Sequence, residues 1–371
     1  MAPGVYKFGY EGPLSGPVAF AGIGVLAGVQ ALFDQVNLSE ALGAGVRLEL
    51  VDEDDANDQA KAIAATDLFL SDDSFVGLFC CVSSSVTGTI KPLIDDEGMP
   101  SVILTAIMPG ATDGTVMFRP KPDQVAMNSS LVAAAFEAFD IKTAIVVVNA
   151  DNEGTAAIGD LMGKDLEALG VEVFSRIEVF QEDTDMSGPA TKIIDLNPDV
   201  VFHSENSQNM VLVIRELADR GYEGDNVGTN AIADSAIFAT CGPACAGVPY
   251  VETYFPDPAN PDPFMKEWLP YAQRETGEML PSTWFSSGYT AAVLMIEGIK
   301  NAAENAGGQP LTREALVAGL AAVGDFVTPL GTLTLNSDGQ GEIEEIMLLQ
   351  LDVDGRVLVW DGTAAGLAKA S

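Results

Sequence analysis

Apolar and polar positions along this chain switch between a period of two and a period near 3.6, and the switching recurs about every 30 residues. The clearest instance is Phe75-Val76-Gly77-Leu78-Phe79-Cys80-Cys81-Val82, an unbroken apolar run that stops at Ser83-Ser84-Ser85. Val86, Ile90, Leu93 and Ile94 follow at i, i+4, i+7 and i+8, which places them on one helix face. The pattern predicts a buried strand running into a serine-capped helix, with unpaired backbone amides at the strand's carboxyl end. Such a position attracts a carboxylate or another polar group without a cation. Serines that only cap a helix would give the same local pattern.

The same alternation predicts strands over 5–10, 46–51 and 100–104, and a helix with Val25, Val29, Leu32, Phe33 and Val36 on one face. Strand and helix in regular succession argue for a parallel, doubly wound sheet. Phe118-Arg119-Pro120-Lys121-Pro122 then breaks the pattern, because prolines fit neither a helix interior nor a central strand. A second series follows, with helices over 124–139, 155–169, 187–196 and 208–220 and strands over 144–148, 171–180, 200–202 and 226–228. An extended stretch at 248–254 leads through the proline-marked 256–263 and the segment 264–275 to helices over 283–306 and 312–323. The tail reads as strands over 332–335, 346–353 and 357–360, with turns at Asn336-Ser337-Asp338-Gly339 and Asp354-Gly355.

The fold class this implies is α/β: two doubly wound α/β lobes joined by three hinge crossovers, near 118–122, 250–254 and 327–331. The expected division is 1–120 with 252–328 against 121–251 with 329–371. A clamshell of this kind lines its cleft with the strand-end loops of both halves, where open sheets bind ligands.

Composition narrows the function. Eighteen Lys and Arg against 54 Asp and Glu leave a net charge of −36, which argues against nucleic acid and anionic membrane surfaces as partners. An acidic, solvated surface suited to a salty environment is the plain reading. No unbroken apolar run reaches the ~18 residues of a membrane span, so no stable membrane insertion is expected. Cys241 and Cys245 flank a turn-like Gly242-Pro243-Ala244, which predicts a small disulfide. Cys80 and Cys81 stand in a strand, where alternation sends them to opposite faces, and read as buried free thiols. His203 is the only histidine, so neither a zinc site nor histidine catalysis is supported. Gly22-x-Gly24-x-x-x-Gly28 has the wrong spacing and place for a dinucleotide fingerprint. Asp52-Glu53-Asp54-Asp55-Ala56-Asn57-Asp58 lacks the glycine and the terminal glutamate of a calcium loop, and reads as a solvated, helix-capping acidic turn. No catalytic residue, metal or cofactor is expected. Met1-Ala2-Pro3-Gly4 directly before a strand reads as a mature protein whose targeting segment has been removed.

In the order of its motifs the chain resembles the periplasmic solute-binding proteins of ABC transporters, in the leucine/isoleucine/valine-binding branch with the type I fold. The matching stretches are Val5-Tyr6-Lys7-Phe8-Gly9-Tyr10-Glu11-Gly12-Pro13-Leu14-Ser15-Gly16-Pro17 and Val51-Asp52-Glu53-Asp54-Asp55-Ala56. Further matches are Ser83-Ser84-Ser85 down to Glu97-Gly98-Met99-Pro100, Phe118-Arg119-Pro120, and Pro329-Leu330-Gly331-Thr332-Leu333-Thr334-Leu335, with Pro92 inside a helix as the family often has it. The resemblance implies capture of a small amino acid or related amine or carboxylate compound by lobe closure, and delivery to an ABC permease. It implies that Ser83, Ser84, Ser85, Thr105 and Ala106, with Met108, hold the ligand from the first lobe, and that Phe20 reaches the cleft. On the second lobe it points to Glu153, Glu205, Asn206 and Asn230. Glu153 stands where the family usually has tyrosine, and Asn230 where amino-acid binders have the glutamate that meets the ammonium. Two acids at one site suit a ligand with positive charge or several hydrogen-bond donors. Rival readings are a cytoplasmic amide or amino-acid sensor on the same fold and an α/β enzyme using the cleft.

Overall fold

The computed structural model describes residues 1–16, 18–114, 116–233, 238, 240–253, 268, 270, 273–274, 283–329, 331–343 and 346–368. The stretches expected at 256–263 and, apart from 268, 270, 273 and 274, at 264–275 lie outside the described residues, as do Pro17, Tyr254 and Leu330. The chain divides into two compact units: Met1–Asp123 with Pro256–Glu344, and Gln124–Phe255 with Glu345–Ser371.

The first unit is built on a parallel sheet in the order β2-β1-β3-β4-β5. Its strands are β1 (Gly4–Gly12), β2 (Val46–Asp54), β3 (Phe75–Cys80), β4 (Ser101–Ile103) and the two-residue β5 (Met117–Phe118). All six residues of β3 are buried, as expected of a central strand covered on both faces. Helices α1 (Ala19–Ser39), α2 (Gln59–Ser71) and α3 (Ser84–Glu97) cross between these strands. Phe8, Phe33 and Phe79 pack edge to face at the sheet, with centroids 5.3 Å and 5.6 Å apart in successive pairs. Helix α1 is long and apolar enough to cross a membrane by length and composition alone, and half of its most apolar window is buried.

In the second unit the parallel sheet runs β7-β6-β8-β9, from β6 (Thr143–Asn149), β7 (Glu172–Val179), β8 (Val200–Ser204) and β9 (Asp225–Gly228). Helices α4 (Gln124–Phe139), α5 (Glu153–Ala168), α6 (Ser187–Leu196) and α7 (Ser207–Asp219) complete the alternation. An antiparallel sheet, β10-β14-β15, belongs to the same unit and is formed by Pro249–Glu252, Met347–Leu351 and Val357–Val359.

Three expectations need correction. Residues 331–343 do not go with the second unit. They form β12 (Gly331–Leu335), antiparallel to β11 (Asp325–Thr328) in the first, and β13 (Gly341–Glu342), antiparallel to β12. A tight turn keeps them there, with Thr328 Oγ1 donating to the Gly331 carbonyl at 2.9 Å. Second, Cys80 and Cys81 are not free but bonded to each other. Alternation fails because β3 ends at Cys80 and Cys81 turns to φ 74°. Cys241–Cys245 is bonded as its spacing predicts. Third, the acidic turn is not uniformly solvated: Asp58 caps α2 through the Lys61 amide, while Asp55 is 1% exposed.

Helices α8 (Thr283–Ala306) and α9 (Arg313–Ala321) return to the first unit. At the crossing of α1 and α8 glycine allows backbone to touch backbone. A Cβ on Gly28 would stand 2.2 Å from the Phe285 carbonyl oxygen, and one on Gly288 2.0 Å from that of Val25. We expect Gly288→Ala to lower the stability of the first unit by about 3 kcal/mol, the upper end for overpacking, since backbone has to move. Gly188→Ala on α6, where the added atom meets nothing within 4 Å, should change stability by less than about 0.5 kcal/mol. Denaturant unfolding followed by hydrogen exchange measures both, and equal effects would contradict the tight crossing.

Candidate functional site

In the first unit the candidate residues gather at the carboxyl ends of β3 and β4. Cys81, Val82 and Ser83 turn the chain from β3 into α3. The Cys80 carbonyl accepts the Leu104 amide at 2.9 Å, and the Cys81 carbonyl accepts those of Thr105 and Ala106 at 3.2 and 2.9 Å. Thr105 adds a side-chain bond to the Val82 carbonyl at 2.8 Å. The two loops are therefore one hydrogen-bonded body.

Within that body the three serines divide their work. Ser83 occupies the N-cap position of α3, but its side chain makes no capping bond. Its Oγ instead lies 2.9 Å from Ser85 Oγ. Ser84 is 2% exposed and its Oγ accepts the amides of Ile107 and Met108, each at 3.1 Å. It bolts α3 to the neighbouring loop. Ser83 and Ser85 are the half-buried pair, next to first-turn amides that no carbonyl of the helix can take. Thr105 and Ala106 are buried, while Met108 is half-buried. Phe20, 38% exposed, meets the Trp284 ring edge to face at 6.0 Å, so α1 and α8 both begin with an aromatic.

Arg119 is a part of this assembly that its motif alone did not reveal. It is 6% exposed, and its Nη1 donates to the carbonyls of Met108 at 3.0 Å and Ala106 at 3.3 Å. Its Nε donates to Gln340 Oε1 at 2.7 Å. Burial lowers the guanidinium's pKa, and Asp123 opposes that. The only sequence signal was a lone arginine in a proline-marked apolar stretch.

The second unit's candidates follow β6, β8 and β9, three neighbouring strands. Glu153 is exposed in the first turn of α5. Glu205 is 1% exposed and His203 fully buried. Glu205 Oε1 lies 3.1 Å from His203 Nδ1, and His203 Nε2 lies 2.9 Å from Asn226 Oδ1. Burial pushes the Glu205 carboxyl up, and the imidazole pulls it back; its Oε2 has no hydrogen-bond partner among the described residues. Asn206 caps α7, taking the Asn209 amide at 2.8 Å. Asn230 Nδ2 donates to Glu252 Oε2 at 2.8 Å. Among the described residues no hydrogen bond joins Glu153 to the other three. Of the two acids expected at one site, Glu153 is exposed and Glu205 lies against an imidazole.

These commitments give Ser84 a structural role. Ser84→Ala leaves the Ile107 and Met108 amides without their acceptor and should lower the first unit's stability by about 1–3 kcal/mol. Chemical denaturation tests this, and an unchanged midpoint would return Ser84 to the ligand.

Set beside known proteins, the chain matches the periplasmic binding protein family over residues 5–356. It is 26% identical over 343 residues to the leucine-, isoleucine-, valine-, threonine- and alanine-binding protein of Pseudomonas aeruginosa, covering 91% of this chain and 88% of that one. A leucine-binding protein from Thermotoga maritima superposes with a TM-score of 0.85 at 19% identity, covering 95% of this chain and 97% of that one. A solute-binding protein of an ABC transporter from R. palustris, solved with benzoate, gives 0.84 at 21% identity, covering 99% and 97%. These superpositions are to proteins of the type I periplasmic binding fold, with its two α/β lobes. By the length of the match and by its fold, the chain belongs to the periplasmic binding protein family.

Proposed function

We propose that this protein is an extracytoplasmic solute-binding protein that captures a small polar molecule by closing its two lobes and delivers it to an ABC permease. The ligand is an amino acid or a related amine or carboxylate compound, and its carboxylate is the end held by the first unit. The observation that carries this reading is the Ser83–Ser85 hydroxyl pair, 2.9 Å apart, beside the first-turn amides of α3. Hydroxyls and amides of this kind take an anionic oxygen without a counter-cation. The relatives support the class: the P. aeruginosa protein is named for amino acids and the R. palustris structure holds benzoate, and a carboxylate is common to both. Binding without turnover is the role, since capture and release need only a difference in affinity between open and closed states.

Two measurements test this. Ser83→Ala with Ser85→Ala should weaken binding of the ligand that co-purifies, identified by mass spectrometry, by roughly five- to a hundredfold, with the unfolding midpoint kept. Normal affinity in the double variant would remove the site. Small-angle scattering should show compaction on ligand addition, and a ligand-saturated protein as extended as the emptied one would count against closure.

A further inference from the structure

One pair of acids in the first unit lies outside the candidate residues and is not accounted for by solvent. Glu11, near the end of β1, is fully buried, and Asp55, just past the end of β2, is 1% exposed. Neither forms an ion pair with a lysine, arginine or histidine among the described residues. Among the described residues neither Glu11 oxygen, both enclosed, has a hydrogen-bond partner. Asp55 accepts the Asn57 amide at 2.6 Å, and its own amide donates to the Gly12 carbonyl at 3.2 Å, which ties the acidic turn to the end of β1.

Among the described residues the surroundings offer the pair no positive charge. Tyr10 on β1, Asp54 on β2 and Asp58 at the start of α2 face it, and Asp52 on β2 acts on Tyr10. Lys61 on α2 is exposed, and Lys7 on β1 lies over the Phe75 ring instead. From the β3 side comes the Cys81 amide, the one group that favours ionisation of Glu11; burial and Asp55 outweigh it and hold the carboxyl well above its ordinary range. Asp55 is raised too, by burial first, while Glu11 and the Asn57 amide pull it back. Two like charges in a dry site cannot both persist.

We propose that Glu11 and Asp55 share one proton at neutral pH, and that this neutralised pair positions the Cys81–Ser85 turn. The mechanical link is short. A Cβ on Gly12 would stand 3.1 Å from Val82 Cγ2, so the end of β1 abuts the turn that carries the hydroxyl pair. Loss of the shared proton drives the Asp55 turn and the end of β1 apart and releases Val82. The consequence for affinity rests on the carboxylate site proposed above; the existence of the pair does not.

The sign follows from the raised acid. Its contribution is whole below the unfolded value of a glutamate, about 4.3, and is lost as pH rises through the folded value. Glu11→Gln keeps a neutral donor of the same shape at every pH. The wild type should melt together with Glu11→Gln near pH 4 and a few degrees below it at pH 8. At pH 7 the wild type should show the infrared carbonyl band of a protonated carboxylic acid, and Glu11→Gln should lack it. L-leucine and benzoate serve as binding probes: whichever binds should lose affinity for the wild type between pH 6 and 9 and keep it for Glu11→Gln. A purely structural Glu11 predicts parallel melting profiles and no difference in the band, and either result overturns the proposal. If neither probe binds, the carboxylate reading falls, and the band and melting profiles still decide the pair.

Discussion

Three successive carbonyls, those of Cys80, Cys81 and Val82, hold together the two loops that carry the first unit's candidate residues. They accept the Leu104, Thr105 and Ala106 amides and the Thr105 hydroxyl, and only a turn at Cys81 lets three neighbours face one partner strand's exit. That turn requires φ 74° of a residue that has a side chain, a conformation that costs roughly 1–2 kcal/mol. The bond to Cys80 closes it covalently, Ser84 fastens the far side through two amides, and Arg119 holds the carbonyls of Ala106 and Met108. A loop so tied is ordered before any ligand arrives, and binding does not have to bear that ordering cost.

The elements most visible in the sequence were those with a long, one-sided apolar period. Gln124–Phe139, Ser187–Leu196 and Thr283–Ala306 fall where the spacing placed them. The two-residue β5 carries too little pattern to be seen, and β11 with its hairpin to β12 was hidden because Val327-Thr328-Pro329-Leu330-Gly331 reads equally well as a crossing. Residue types at the site were legible, but their hydrogen-bond commitments were not. Ser84 is spoken for by amides more than twenty positions away, and Arg119 by Gln340, 221 positions on. Periodicity reports which face a side chain is on; it says nothing of which partner from another element will be there first. Glu205 shows the same limit at short range, since its nearness to His203 is plain in sequence while the burial that makes the contact matter is not.

Consecutive acids can have opposite fates, as Asp54 and Asp55 show. Slight burial works against Asp54, yet the hydrogen bonds from Ser15, Leu14 and Ala56 outweigh it and lower its pKa. Its Oδ1 takes the Leu14 amide at 2.7 Å and so fastens the loop after β1 to the end of β2. One residue later the carboxyl is sealed away and raised. A net charge of −36 therefore conceals two chemistries, a large solvated population and a small enclosed one.

The glycine crossing of α1 and α8 has a kinetic meaning. It joins Gly28 to Gly288 backbone to backbone, and the whole second unit except its last segment lies between them in the chain. The α1–α8 crossing therefore cannot form during synthesis until the 260 residues after Gly28, up to Gly288, exist, whereas residues 124–255 are complete much sooner and lack only the strands after residue 345. Contacts of such sequence separation make folding slow. The nascent chain thus spends its early life with the α8-facing side of α1 uncovered, dependent on a segment not yet made.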